Sequence, residues 1–393
     1  MSEAYIVAAT RTAGGRRGGR LSGWHPADLS GQVLNALLDR TDADPALIDD
    51  VIMGCVGQFG EQALNIARNA VLSSRLPESV PGTSVDRQCG SSQQAIHFAA
   101  QAVMSGTQDI VIAAGVESMS RVPMGASVAL PAKQGMGHYF GPAMHERYPG
   151  VDDFTQFAGA EMMAKKYDLS KAALDAFSLE SHRKAIRATE AGDFDDEILA
   201  VPVCDYDGNG GDALHTVDEG IRFDASLDAI AGVKLLQEGG RITAANASQI
   251  CDGASGVMIV NERGLAQLGV SPLARIHHLS VIGHDPVIML EAPIPATERA
   301  LEKAGLSIDD IDLYEVNEAF APVPLAWLHT LGADPERLNV NGGAIALGHP
   351  LGGSGTKLMT TLIHALKQRQ GRYGLQTMCE GGGLANVTIV ERL

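Results

Sequence analysis

Four side chains stand out because each carries a reactive or hydrogen-bonding group amid small residues. Cys89 lies in Val85-Asp86-Arg87-Gln88-Cys89-Gly90-Ser91-Ser92, directly ahead of an amphipathic helical pattern. The unpaired N–H groups and the dipole of a helix N-terminus favour a thiolate, which turns a thiol of ordinary pKa, about 8.5, into a nucleophile. A cysteine taken alone fits a buried core position equally well. His349 sits in Asn341-Gly342-Gly343-Ala344-Ile345-Ala346-Leu347-Gly348-His349-Pro350-Leu351-Gly352-Gly353-Ser354-Gly355, framed by six glycines and a proline. Such lean surroundings bring backbone close to backbone and leave the imidazole free to face a ligand, a setting rare for a core histidine. Cys379 opens Cys379-Glu380-Gly381-Gly382-Gly383, whose glycines can turn N–H groups toward an oxyanion. Asn317, in Val316-Asn317-Glu318-Ala319-Phe320-Ala321, ends an apolar run and can hold a water or donate a hydrogen bond. A thiolate nucleophile, a general base, a second thiol that moves a proton and two donor loops together describe acyl transfer.

The elements that must position these groups follow from periodicity. Tyr5–Ala9 and Val51–Cys55 read as strands, Asp28–Leu38 and Ala63–Leu72 as helices, and the alternation argues for βαβ units around a buried sheet. After Cys89, the residues Ala95, Phe98, Ala99, Ala102 and Val103 form one helical stripe that stops near Gly106, and the wholly apolar Ile110–Ala114 reads as a strand buried on both faces. The same order recurs near the C-terminus: a glycine-rich turn at 352–355, a helix with Leu358, Leu362, Ala365 and Leu366 on one face, then Leu375–Met378 and Cys379. One offset of 264 residues superposes Cys89 on Gly353 and Gly115 on Cys379. Any two βα units look somewhat alike, but duplication also explains why one chain shows two similar halves.

Between the halves the character changes. Pro, Gly and Met gather in 123–149, and a helix starts near Leu169-Ser170 with Leu174, Phe177, Ser181, Ala185 and Ala188 on one face. The reading is an inserted region at 120–249 between a first half, 1–119, completed by about 250–271, and a second half, 272–393. Residues 165–187 hold six basic and three acidic side chains. A solvated helix face is the plainer account, and a surface for an anionic ligand such as a nucleotide phosphate is the functional one.

Composition bounds the function. Of 393 residues, 45% are apolar and 20% charged, which supports a sizeable core. Glycine is in excess, 45 residues or about 11% against a usual level of about 7%. A net charge of −17 disfavours nucleic acid and anionic membranes as partners. Five cysteines without CxxC spacing suggest neither a disulfide framework nor zinc, and they fit a reducing, cytoplasmic setting. No basic-then-apolar leader and no stretch of ~18 apolar residues is present, so the chain reads as soluble and unprocessed. Three other motifs fail. Asp205–Gly210 starts like a calcium loop but carries Thr216 where a bidentate Glu is required. Gly348–Lys357 lacks a Gly-Lys-Ser/Thr ending because Thr356 separates Gly355 from Lys357, so ATP chemistry is not supported. His277-His278 has no partner at metal-ligand spacing, and no metal is expected.

Four blocks in order, Cys-Gly-Ser at 89–91, Asn-Glu-Ala-Phe at 317–320, Gly-Gly-x-x-x-x-Gly-His-Pro at 342–350 and Cys-x-Gly-Gly-Gly at 379–383, resemble the signatures of the thiolases. The likeness runs from Arg11-Thr12 to Glu391 and includes 243–248 ahead of Asp252-Gly253-Ala254. It implies an α/β fold with a duplicated five-layer αβαβα core, an inserted loop domain covering coenzyme A, and a homodimer or homotetramer. It also implies roles. Cys89 is acylated, and His349 takes the proton of Cys89 and later that of the CoA thiol. Cys379 exchanges a proton with the α-carbon of acetyl-CoA. Asn317, through a water, and His349 form one oxyanion hole, the N–H groups of Cys89 and Gly381 form the other, and Ser248 lies along the pantetheine. The implied activity is that of an acetyl-CoA C-acyltransferase, a 3-ketoacyl-CoA thiolase of fatty-acid or steroid side-chain β-oxidation. Its partners are acyl-CoA, acetyl-CoA and CoA, with CoA a substrate and no cofactor. A biosynthetic acetoacetyl-CoA thiolase is the alternative. A β-ketoacyl synthase would pair its cysteine with two histidines or His/Asn, and the Cys379 block argues against it. Thr155-Gln156-Phe157 stands where many members carry Met-Gly, and Ser92 and Gly353 replace the more frequent Gly and Cys. The first departure bears on the acyl group accepted and resembles degradative members that take longer or bulky chains.

Overall fold

The computed structural model describes residues 2–393. Its first stretch contains β1 (Tyr5–Thr12), β2 (Gly15–Arg16), α1 (Pro26–Thr41), β3 (Asp50–Gly54), α2 (Ile66–Leu72), β4 (Gly82–Val85), α3 (Ser91–Ser105) and β5 (Ile110–Ser118). Then come α4 (Ala126–Lys133), α5 (Pro142–Arg147), α6 (Gln156–Lys166), α7 (Lys171–Ala191), β6 (Ile198–Leu199), the hairpin β7 (Val201–Cys204) and β8 (Gly210–His215), and α8 (Leu227–Ala231). The rest comprises β9 (Cys251–Val260), α9 (Glu262–Leu268), β10 (Ala274–Gly283), α10 (Pro293–Ala304), β11 (Leu313–Val316), α11 (Pro322–Leu331), α12 (Ala344–Leu347), α13 (Ser354–Arg369), β12 (Tyr373–Glu380) and β13 (Leu384–Arg392).

Local chemistry explains the boundaries. Pro26 opens α1, where its missing N–H costs nothing, and α3 stops at Gly106 in the left-handed conformation that glycine tolerates. Ser170 caps α7 by accepting from the Ala173 N–H, and Gly192 closes it. Strands β5 and β9 are buried along their whole length, which is why both read as unbroken apolar or small-residue runs.

The main sheet runs β11-β12-β13-β10-β1-β9-β5-β3-β4. Outward from the central β1–β10 pair, the order β9-β5-β3 on one side matches β13-β12-β11 on the other, so the fold is two copies of one unit. Three cores separate the layers. One holds α1 and α2 against the first half-sheet, one packs α3 with α13 between the halves, and one holds α10 and α11 against the second. That is a five-layer αβαβα sandwich. Ser92 Oγ accepts from the Thr356 N–H at 3.0 Å, a bond between residues 264 apart and therefore between counterparts under the sequence offset. The axis relating the halves passes there, at the start of α3 and α13. Among the described residues no helix is long and apolar enough to cross a membrane.

Candidate active site

The turn before α3 is built to present Cys89. Asp86 Oδ1 accepts from the Gln88 N–H at 2.7 Å, and Ser91 Oγ accepts from the Arg87 N–H at 2.9 Å. Gln88 takes a φ of 51°, a left-handed value unusual for a side chain of its size, so the backbone reverses just ahead of the cysteine. Gly90 forms the helix cap, and a Cβ there would collide with the Glu380 carboxyl. One on Gly381 would lie 2.8 Å from Gln88 Oε1. The Cys89 and Cys379 turns therefore interlock, each needing the other's missing side chain.

Asn317 leaves β11 with its N–H donated to the Thr377 carbonyl of β12 at 3.0 Å, two residues ahead of Cys379. Its Nδ2 lies 3.4 Å from His349 Nε2. The other ring nitrogen, His349 Nδ1, lies 2.5 Å from Ser354 Oγ, and Ser354 Oγ donates its own proton to the Pro350 carbonyl at 2.9 Å. Since that hydroxyl proton is committed, Nδ1 carries the ring proton and donates it, which leaves the Nε2 lone pair facing the site. Asn317 Oδ1 is buried without a hydrogen-bond partner among the described residues.

Residues 247–250 stitch these loops together. The Ser248 N–H donates to the Ala319 carbonyl at 2.9 Å, and the His349 N–H donates to the Gln249 carbonyl at 3.1 Å. Ser248 thus stands between the Asn317 and His349 blocks. Beside it lies a cavity of about 350 Å³ lined by Ala245, Ala247, Gln249, His182, Arg222 and Ser226, among others.

Electrostatics correct one expectation. Cys89 stays partly exposed as a residue while its thiol is enclosed, and burial, reinforced by the Glu380 carboxyl, pushes it up to about 12. The helix tip does not make a resting thiolate, because desolvation by the opposite half outweighs the local dipole. Burial, with the Cys89 thiol and Glu380 adding to it, likewise holds Cys379 well above the ordinary thiol range. Burial, aided by the positive charge of Lys357, pushes His349 down to about 3. At neutral pH the site holds two thiols and a neutral imidazole, a set that can both give and take protons.

The basic stretch at 165–187 is largely engaged by its own neighbours. Lys166 pairs with Glu291 at 2.5 Å, Lys171 with Asp175 at 2.5 Å, and Lys184 donates to the Leu338 carbonyl at 2.8 Å. Arg183 and Arg187 approach Glu180, at 4.0 and 3.4 Å. Only His182 of this helix lines the cavity. The cation there is Arg222, whose guanidinium has no ion-pair partner among the described residues. Sequence reasoning missed it because it is a single charge in an undistinguished stretch.

Two departures gain a physical account. Ser92 supplies the hydroxyl that meets Thr356 on the axis. Thr155 caps α6 by accepting from the Ala158 N–H at 3.1 Å, while the Phe157 ring stacks edge-on against Phe320 with centroids 5.6 Å apart. The Asp205–Asn209 turn is an exposed link between β7 and β8, with Asp205 Oδ1 accepting from the Asp207 and Asn209 N–H groups at 3.0 and 2.9 Å.

The family model described as thiolase, N-terminal domain, matches residues 4–263, and that described as thiolase, C-terminal domain, matches 270–392. The chain is 53% identical over 395 residues to the steroid 3-ketoacyl-CoA thiolase FadA6 of Mycobacterium tuberculosis, covering 100% of this chain and 95% of that one. It is 40% identical over 406 residues to a 3-ketoacyl-CoA thiolase of Pectobacterium carotovorum, and 41% identical over 400 residues to one of Yersinia pestis, each match covering 100% of both chains.

Proposed function

This chain belongs to the thiolase family and is an acyltransferase, and from that premise we propose that it cleaves 3-ketoacyl-CoA with CoA, giving acetyl-CoA and a shortened acyl-CoA. The observation that carries this reading is the meeting of the Cys89 and Cys379 turns, from opposite halves, with Asn317 on the strand beside Cys379 and in reach of His349.

Because Cys89 rests as a thiol, its proton leaves as it attacks. His349 Nε2 accepts that proton while the sulfur bonds to the 3-keto carbon. The C2–C3 bond then breaks, its electron pair stays on C2, and Cys379 delivers its proton there, releasing acetyl-CoA and leaving the acyl group on Cys89. The proton held by His349 restores Cys379. In the second half-reaction the CoA thiol gives its proton to His349 and attacks the Cys89 thioester, and His349 passes that proton to the departing Cys89 sulfur. Donors aimed at each oxyanion lower both barriers: Asn317, through a water, and His349 for one, the N–H groups of Cys89 and Gly381 for the other. CoA is a substrate, and no step calls for a metal or resident cofactor.

Further readings go with this one. Residues 120–249 cover coenzyme A, Ser248 lies along the pantetheine, and Arg222 meets a phosphate of the nucleotide. The names of the relatives favour the degradative direction and include bulky steroid-derived acyl chains among the substrates to test. The protein is read as a cytoplasmic homodimer or homotetramer; five free cysteines support a reducing compartment.

The test is mass spectrometry of intact protein mixed with a 3-ketoacyl-CoA in the absence of free CoA. The native chain gains one acyl group and releases one acetyl-CoA, whereas Cys89→Ala gains none and loses thiolysis by roughly four orders of magnitude or more. An acylated, active Cys89→Ala enzyme sinks the assignment.

A further inference from the structure

Lys357 is a buried lysine that the chemistry above does not use. It lies in the first turn of α13, and its Nζ donates to the Leu347 carbonyl at 2.6 Å and to the Gly348 carbonyl at 3.1 Å. These are the last two carbonyls before His349. Gly348 leaves α12 with a φ of 79°, turning the chain sharply into the histidine. Nζ also stands 3.8 Å from Asp218 Oδ1. Asp218 accepts from the Arg11 guanidinium at 2.9 and 3.1 Å and from the Gly14 N–H at 2.7 Å, and Arg11 Nε pairs with Glu197 at 2.5 Å. Two cations and two anions are thus buried together, drawn from β1, α13 and the segment between α7 and β9.

A lysine ammonium in the first turn of a helix faces the positive end of the dipole, and its burial carries a desolvation penalty. The fold keeps it where its donors reach the base-bearing loop. Ser354, three residues earlier on the same helix face, accepts the hydrogen bond from the ring N–H of His349. One turn of α13 therefore grips both the ring and the backbone leading into it. We propose that Lys357 is a positioning residue for the general base, its ammonium fixing the two carbonyls that precede His349; this rests on the reading of His349 as that base.

The charge has a second consequence. The titratable groups near the His349 loop are Lys357 on α13, Asp218 behind it, Cys251 of β9 against Gly348, Glu117 of β5 accepting from the Gly352 N–H, and Glu318 accepting from the Ile345 N–H. Of these, Lys357 is the charge that acts on the ring, adding to burial in keeping it neutral.

The test uses Lys357→Met, Lys357→Gln and Lys357→Arg in the full chain, with thermal unfolding as a check on folding. In the Met and Gln variants kcat for 3-ketoacyl-CoA thiolysis falls about tenfold to a hundredfold, while KM for both substrates stays within about threefold. The acid limb of kcat moves to higher pH by about one unit, because no cation now opposes protonation of the ring. Lys357→Arg keeps the charge and leaves the limb in place. If the Met variant does not fold, the Gln variant decides by the same two readouts. Native kcat with an unmoved acid limb in either folded neutral variant overturns the proposal. His349→Ala separates the two claims: full activity there overturns the reading of His349 as the base, whereas an inert His349→Ala beside a fully active Lys357→Met overturns only the positioning role.

Discussion

The first turns of α3 and α13 are counterparts that do opposite work. At the tip of α3 the chain presents a side chain, Cys89, and the helix behind it offers small residues. At the tip of α13 the counterpart of Cys89 is Gly353, and the helix behind it carries Ser354 and Lys357, which hold a residue from the preceding loop, His349. The strand ends differ in the complementary sense. Cys379 carries the second thiol at the end of β12, while its counterpart Gly115 in β5 bears nothing, because a Cβ there would strike the Gly352 carbonyl of the opposing turn and Ser92 of α3. In the proposed chemistry one half supplies the nucleophile and a socket, the other the base and the second thiol. Duplication furnished two equivalent helix tips, and their divergence made a site that neither tip contains alone.

The sharpest way to break this comparison is to remove the group found on one strand end only. Cys379→Ser lowers thiolysis by roughly 10²–10⁴-fold. It still acquires an acyl group on Cys89 from acyl-CoA, yet no longer exchanges the α-hydrogens of acetyl-CoA with solvent. Native exchange measured by NMR in deuterated buffer would remove the proton-transfer role.

A smaller effect tests the grip of α13 on the ring. Ser354→Ala deprives His349 Nδ1 of its acceptor and lowers kcat about tenfold, with KM changed less than kcat. The same ring sets a stability signature. Its pKa is lower in the folded chain than in the unfolded one, so the unfolded state binds more protons between about pH 6.5 and about pH 3. The contribution is fully present above that window and is lost as pH falls through it. His97, which burial and the charge of Arg87 also push to about 3, acts with the same sign. Urea midpoints for the native chain therefore decline over this range, and His349→Asn flattens the slope.

The mildest change restores the residue more frequent in the family. Ser92→Gly removes the acceptor for the Thr356 N–H on the axis and lowers stability by about 1 kcal/mol. Calorimetry measures the loss, and a native melting point would show that the bond is dispensable.

Much of this was legible in the primary structure for a physical reason. In the proposed chemistry the reactive groups admit a thioester and are flanked by residues without side chains, so Cys89, His349 and Cys379 stand out, and the 264-residue offset reappears as a bond between Ser92 and Thr356. What stayed hidden depends on partners far along the chain. The thiol of Cys89 is governed less by its own helix tip than by burial and Glu380, 291 residues away. The basic stretch at 165–187 left a phosphate surface open beside a solvated face because Glu291, which pairs with Lys166, lies 125 residues further on. Lys357 looked like the remnant of a failed nucleotide loop, since nothing local indicates that its ammonium turns back onto Leu347 and Gly348.

The two halves share only a short seam within the sheet: β1 and β10 pair at Tyr5 with Arg275 and at Ile6 with Ala274. Docking of α13 and the turn before it on α3, β1, β5 and β9 does the rest of the joining. Each half can form its strands and outer helices from contacts within itself, whereas the thiols and the imidazole come together only when the halves close on one another. Enzymatic activity is then a reporter of the last assembly event in folding. During refolding from denaturant, recovery of turnover lags recovery of helical signal, and the interval between them times the closure of one ancestral copy upon the other.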